Sequence, residues 1–403
     1  MRVMLVNQYV GTPDMAGGTR HYSLARQLIR RGHEVTMVTA SFSHMLRQER
    51  LPPGQRLLKQ IVDGIGLIWL RTPSYDGNGP RRFMNMLAFA RQVERLPDGL
   101  LGAKPDVVIG SSPQPFAALA AERWARARGV PFVLEVRDLW PQTLVDLGRM
   151  SPAHPVVLAL TAVERKLYRR ARRIISLLSG AGEHMAVKGA DPAKVAWIPN
   201  GVDLDMVPYR PADSGERFTI IYAGAHGLSS NLDSVIAAAC RLREAGWADR
   251  LRIRFIGDGP EKPRLREWAE REGLTFVHFE PPVPKGEIFS VLQEADAFVI
   301  ATQNTDLYRW GYSPNKLFDY LAVGRPIICA LRSPYDAVTE AGAGVTVPPD
   351  DPEAMAAAIV QLAEAPPEAR RAMGERGRAY AETHHSFGIL GERFEQVLME
   401  VVS

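Results

Sequence analysis

Tyr312-Ser313-Pro314-Asn315-Lys316-Leu317-Phe318-Asp319-Tyr320-Leu321-Ala322-Val323-Gly324-Arg325-Pro326-Ile327-Ile328-Cys329-Ala330 holds a helix, a stop and a strand in one run. Ser313 is a favoured N-cap, and Pro314 suits a first helical position, where its missing N–H costs nothing. Gly324 and Pro326 end the helix and release the chain into the apolar run Ile327–Ala330. A helix N-terminus offers unpaired N–H groups and partial positive charge, which suits an anion. Lys316 falls in that first turn, and Asp319, three residues on, lies on nearly the same face. Together they fit a nucleotide, with diphosphate at the lysine and ribose hydroxyls at the carboxylate. A well-capped core helix with solvated charges fits the same residues.

The same grammar runs outward in both directions. Val3–Val6, Val35–Thr39, Leu67–Leu70, Val107–Ile109 and Phe132–Val136 read as strands, with helical patterns at 18–31, 81–96 and 116–128 between them. After a polar, proline-containing connector at about 203–216, the alternation restarts with Phe218–Tyr222 and continues past Gly344–Val347. Continuous apolar strands separated by helices imply parallel sheets covered on both faces. The expected fold is therefore α/β, with two doubly wound Rossmann-like domains facing each other across a cleft. Residues 1–199 form the first and 200–385 the second, and a last helix, about 386–403, is expected to pack back on the first. Ligands in such sheets sit beyond the carboxyl ends of the strands.

Those ends carry glycine. Gly17-Gly18 close the first strand-to-helix loop, Gly224 and His226 stand in Tyr222-Ala223-Gly224-Ala225-His226-Gly227, and Gly257 and Gly259 follow a third strand. Glycine lets a backbone approach a phosphate or sugar closely, although tight turning alone also explains it. His226 is a candidate phosphate or sugar contact, with a structural role as its alternative. None of these loops is the G-x-G-x-x-G dinucleotide fingerprint, which argues against a nicotinamide cofactor. Glu135-Val136-Arg137-Asp138-Leu139-Trp140-Pro141 ends a strand with charges in an otherwise buried context. Asp138 there is a candidate catalytic carboxylate or sugar-hydroxyl acceptor, and equally an Asx turn or a partner for Arg137.

Charge divides the chain. Residues 1–199 hold 28 Lys and Arg against 15 Asp and Glu, and residues 200–403 hold 21 against 30. A basic first half implies an anionic partner: phospholipid headgroups, a phosphorylated substrate or nucleic acid. Without zinc-finger spacing or an aromatic-basic RNA signature, nucleic acid is not expected. Residues 79–96 join Arg81 and Arg82 to Phe83, Met84, Leu87 and Phe89, and Arg47, Arg50, Arg56 and Lys59 precede them. Such segments can lie on an anionic membrane or simply cover a sheet. No apolar run reaches the roughly 20 residues that span a bilayer. The first residues enter a strand pattern directly, and the two cysteines, Cys240 and Cys329, read as reduced core residues, so a cytoplasmic location is expected.

Taken in order, Gly17-Gly18, Arg31-Gly32-His33-Glu34-Val35-Thr36, Arg137-Asp138-Leu139-Trp140-Pro141, Pro199-Asn200-Gly201-Val202-Asp203 and Ser313–Tyr320 resemble the family 4 glycosyltransferases of the GT-B fold. The Trp-Pro and Ser-Pro-Asn-Lys variants are most similar to the bacterial subgroup that builds O-antigen, capsule or exopolysaccharide on a polyprenyl diphosphate lipid. The resemblance implies a retaining, metal-independent glycosyltransferase with no cofactor. Its donor would be a nucleotide sugar, UDP-linked and of the N-acetylhexosamine type, and its acceptor lipid-linked or an oligosaccharide. The basic amphipathic segments add the expectation of peripheral attachment at the inner face of the cytoplasmic membrane. Carried onto this sequence, Ser313, Asn315 and Lys316 would hold the diphosphate, and Asp319 the ribose. Gly18 would approach from the first domain, Pro282 and Val283 would lie near the base, and Asp138 with Lys316 would be catalytic. Three positions depart from the pattern. Gly311 replaces the first acid of E-x7-E, Arg137 replaces a histidine, and Ala225-His226-Gly227 replaces a basic pair. A nucleotide-sugar 2-epimerase, or a nucleotide-sugar-binding partner without catalysis, are the competing expectations.

Overall fold

The computed structural model describes residues 1–15, 18–43, 48–77, 79–210 and 215–403. Two compact units emerge, one built from Met1–Thr12, Gly18–Pro199 and Phe387–Ser403, the other containing Asn200–Ser386. Gly17 and Arg47, both singled out above, lie outside the described residues.

In chain order the first unit carries β1 (Arg2–Val6), β2 (Glu34–Ala40), β3 (Phe42–Ser43), β4 (Gln48–Glu49), β5 (Leu57–Val62), β6 (Ile65–Leu70), β7 (Val107–Ser111), β8 (Phe132–Val136), β9 (Arg173–Ser176) and β10 (Val195–Trp197). Its main sheet runs β10-β9-β8-β7-β1-β2-β6-β5, and β3 pairs with β4 as a separate ribbon. All main-sheet neighbours are parallel except β5 against β6. The Leu57–Val62 stretch, which holds Lys59, forms an antiparallel edge strand. Its alternating exposure is what one covered face produces. β7 and β8, by contrast, are buried at every position. The strand order reverses between β1 and β7, so the loops after these strands open the crevice of this sheet.

The tail closes this unit. The helix Phe387–Val402 lies against the helix Arg20–Arg30, and a Cβ added at Gly391 would sit 2.6 Å from Gln27 Cβ. Arg31 donates to the Gly388 carbonyl at 3.1 Å and pairs with Glu395 at 3.2 Å, while His33 Nε2 lies 2.5 Å from the same carboxylate. The Arg31-Gly32-His33 motif is therefore an anchor for the carboxyl-terminal helix.

The second unit carries β11 (Phe218–Ala223), β12 (Leu251–Ile256), β13 (Val277–Glu280), β14 (Ala297–Ala301), β15 (Ile327–Ala330) and β16 (Gly344–Val347). They pair, all parallel, in the order β13-β12-β11-β14-β15-β16. Successive side chains point to opposite faces of a strand. Ile220, Ile253 and Val299 accordingly pack with the helices Leu232–Glu244 and Pro352–Glu364, while Ile221, Phe298 and Ile300 pack with the helix Asn315–Val323. Here the order reverses between β11 and β14, and the Gly224–Gly227 turn leaves the sheet at that point.

Candidate functional site

The helix that follows β14 begins one residue later than its sequence implies. Pro314 takes the N-cap position with extended backbone, Asn315 is the first helical residue, and no side chain among the described residues caps the helix. Ser313 is not the cap. Its Oγ accepts from the Asn200 backbone N–H at 2.9 Å, and its carbonyl accepts from Asn200 Nδ2 at 2.6 Å. Proline has no N–H and adopts the cap backbone readily, which displaces the hydroxyl into the Pro199-Asn200-Gly201 turn. The uncapped first amides remain available to an anion.

Lys316 in that first turn reaches across to β11. Its Nζ donates to the Tyr222 hydroxyl and stands 3.9 Å from the Tyr222 ring centroid. Tyr222 is held by Ala225 O and Ser230 Oγ at 2.7 and 2.8 Å. Gly224 has φ +151, and a Cβ there would lie 2.8 Å from Lys316 Nζ, so only glycine fits. The helix is pinned to β11 by Tyr320, whose hydroxyl accepts from the Ala223 N–H at 2.7 Å and whose ring stacks on Phe298. Gly224, Asn315 and Lys316 thus meet at the strand-order reversal of the second unit. Tyr222, which aims the lysine, was missed because a strand tyrosine reads as core.

His226 turns inward instead of facing solvent. It is fully buried among Tyr222, Phe255 and Phe279, and neither ring nitrogen has a hydrogen-bond partner among the described residues. Burial, then the ammonium groups of Lys262 and Lys316, push its pKa down to about 4, so the ring is neutral at pH 7. Gly259 packs on its backbone.

Asp319 lies one turn beyond Lys316 and is buried. Lys285 Nζ reaches its Oδ2 at 2.6 Å, and Oδ1 has no partner among the described residues. Burial raises the carboxyl pKa, and Lys285 opposes that rise. Lys285 stands ahead of the short helix Ile288–Leu292, and nothing in the sequence linked it to Asp319. Val283 packs on the apolar cluster beneath the Asn315–Val323 helix, while Pro282 is exposed in the loop after β13. Gly311 has φ +115, a conformation that L side chains rarely adopt. The missing acid is therefore matched by a backbone shaped for glycine.

In the first unit, the charge buried at the end of β8 is Glu135, not Asp138. Glu135 is fully buried and meets Arg20 Nε at 2.9 Å, His21 Nε2 at 2.5 Å and Ser111 Oγ at 2.5 Å. Burial alone would raise its pKa, but the charges of Arg20 and His21 and the two hydrogen bonds hold it well below the usual carboxylate range. Arg20 also donates to the carbonyls of Ile198 and Pro199. Asp138 is exposed, three residues on, and Arg137 N–H is held by Ser112 Oγ at 2.8 Å. Gly18 sits just ahead of the Arg20–Arg30 helix, its carbonyl close over Gly11.

In sequence and in fold the chain is similar to known proteins. Residues 16–201 match the model described as a glycosyl transferase 4-like domain, and residues 217–365 match glycosyl transferases group 1. The chain belongs to the family 4 glycosyltransferases, with the GT-B fold. It is 24% identical over 371 residues to the putative colanic acid biosynthesis glycosyl transferase WcaI of Escherichia coli K12, covering 87% of this chain and 89% of that protein. The sucrose-phosphate synthase of Thermosynechococcus elongatus superposes with a TM-score of 0.75 at 16% identity, over 99% of this chain and 98% of that one. Anabaena HepE, solved with UDP and glucose, gives 0.69 at 13% identity, over 99% and 100%.

Proposed function

We propose that this glycosyltransferase moves a sugar, with retention, from a nucleoside diphosphate sugar to a lipid-linked or oligosaccharide acceptor during cell-surface polysaccharide assembly. The observation that carries the donor is Lys316 at an uncapped helix N-terminus where the second sheet reverses its strand order. Charge builds on the departing diphosphate as the glycosidic bond breaks. An ammonium and aligned N–H groups, already fixed by Tyr222, stabilise that charge without reorganising. No metal or cofactor is assigned a role in this scheme. The Asp319 carboxylate, whose Oδ1 has no partner among the described residues, is the ribose acceptor, and Pro282 with Val283 border the base. HepE, solved with UDP, supports a uridine donor, and WcaI, named for colanic acid biosynthesis, supports a polysaccharide product; a polyprenyl diphosphate is the acceptor we propose. An N-acetylhexosamine is the sugar class to test first.

The first unit is assigned the acceptor, with Asp138 at its site. No helix among the described residues is long and apolar enough to cross a membrane. Phe83, Met84 and Leu87 are exposed on the helix Pro80–Glu94 beside Arg81, which supports peripheral attachment to the inner face of the cytoplasmic membrane.

The deciding experiment screens nucleotide sugars for thermal stabilisation, then follows transfer from each hit to polyprenyl-diphosphate sugars. Transfer that requires the acceptor sustains the proposal, and donor turnover without acceptor would indicate an epimerase. Gly311 favours one second reading, a donor-binding partner without catalysis, which would bind yet neither transfer nor hydrolyse. Asp138→Asn is expected to lower turnover more than donor affinity, and unchanged kinetics would reduce Asp138 to a loop residue.

A further inference from the structure

A groove of about 450 Å³ opens on the first unit, bordered by Pro141 at the end of the Asp138 loop. That volume is in the range of small-molecule pockets. Its two ends differ in chemistry. Val145, Val157 and Leu158 make one end apolar, and Leu158 is 58% exposed. Arg165 and Arg169, two and three turns beyond Leu158 on the same helix, carry the other, and Lys188 also lines the groove.

The helix Pro155–Arg170 produces this polarity. Leu158, Ala162, Arg165 and Arg169 follow one another at intervals of four, three and four residues, so they share one face. The helix has a single acid, Glu164, and it points away from the groove. Tyr168 Oη donates to it at 3.0 Å, and His184 Nε2 lies 3.1 Å from it. Among the described residues no acidic residue lines the groove, and Arg165, Arg169 and Lys188 have no ion-pair partner. Three uncompensated cations beside exposed aliphatic side chains match neither a free sugar nor a plain anion. They match an amphiphile with a phosphate head and a hydrocarbon chain. A bulk membrane surface would need a flat or convex face, whereas this is a concavity sized for one molecule.

We propose that this groove seats a single lipid phosphate, its mono- or diphosphate on Arg165, Arg169 and Lys188 and its first carbons along Val145, Val157 and Leu158. The assignment rests on the lipid-linked acceptor proposed above and gives that acceptor a place, continuous through Pro141 with the loop that carries Asp138.

Farnesyl diphosphate is the probe, titrated calorimetrically into the full chain beside farnesol, inorganic pyrophosphate and phosphatidylglycerol vesicles. Farnesyl diphosphate is expected to bind at least tenfold more tightly than farnesol or pyrophosphate. Arg165→Ala/Arg169→Ala and, separately, Leu158→Asp should each weaken it tenfold or more. All three positions are exposed, and thermal melting of the variants verifies their fold. Absent binding, or equal affinity in both variants, overturns the proposal. So does pyrophosphate binding as tightly as farnesyl diphosphate, which would mark a plain phosphate site. Vesicle binding that falls in these variants while farnesyl diphosphate affinity holds overturns it too, in favour of membrane contact. Nucleotide-sugar stabilisation measured on the same samples separates the two proposals. If it persists while the groove fails, the donor assignment stands.

Discussion

Replacing Lys316 with alanine removes an ammonium whose place is fixed by Tyr222 and by the bare backbone of Gly224. A hydrogen bond from a charged donor contributes about 1.5–3 kcal/mol, so donor affinity should fall about 10- to 100-fold. Loss of a preorganised donor to developing negative charge typically costs about 100- to 1000-fold in kcat, so turnover should fall further than binding. The fold should tolerate the change. What the apo protein loses is the contact of Lys316 with the Tyr222 ring and hydroxyl, about 1 kcal/mol, a melting shift of about 2–4 °C for a unit of this size. The Tyr222 hydroxyl keeps Ala225 and Ser230. A third readout is independent of substrate. After burial and Lys262, Lys316 is the next cause holding His226 near pKa 4, so its removal should move the His226 titration upward, as followed by NMR. Initial rates, donor titration and melting on the same preparation complete the test. Near-normal turnover refutes the assignment, and a melting loss equivalent to several kcal/mol would make Lys316 a structural residue instead.

Lys285→Met should leave the buried Asp319 carboxylate without its cation, costing about 3 kcal/mol in urea unfolding at pH 7, most of it recovered by adding Asp319→Asn. Asp319 already titrates above its ordinary value of 3.8, so it favours folding in acid and loses that contribution as pH rises through its folded pKa. Losing Lys285 raises that pKa further, and the variant's deficit should shrink in acid. Glu135 behaves oppositely. Its depressed pKa contributes stability above the unfolded value of 4.5 that is lost as pH falls through the folded value, so Glu135→Gln should be weaker at pH 7 by about 3–5 kcal/mol with a flatter acid limb. His21, lowered chiefly by burial, adds to the acid sensitivity between 6.5 and its folded pKa. Gly311→Glu, which restores the family's acid, should cost about 1–3 kcal/mol because φ is +115, and activity should not rise; a gain in rate at unchanged melting temperature would contradict this.

The sequence by itself determined what depends on neighbours in the chain. Apolar runs such as Ala297–Ala301 and Ile327–Ala330 are buried at every position, and their alternation with helices dictates parallel doubly wound sheets. Gly324 ends its helix in the left-handed conformation that glycine permits, as local chemistry requires. Lys316 and Asp319 were legible as one face of one helix. Partnerships across long stretches of chain were not. Tyr222 for Lys316, Lys285 for Asp319, and Arg20 with His21 for Glu135 are 94, 34, 115 and 114 residues apart. Only tertiary packing brings such groups together, and burial then decides that Glu135 is locked while Asp138 stays exposed. Ser313 makes the same point at one residue: its propensity marked it as a cap, and a turn from 113 residues away took its hydroxyl instead. Periodicity is a property of the chain, but a buried charge is placed by whatever the fold sets beside it.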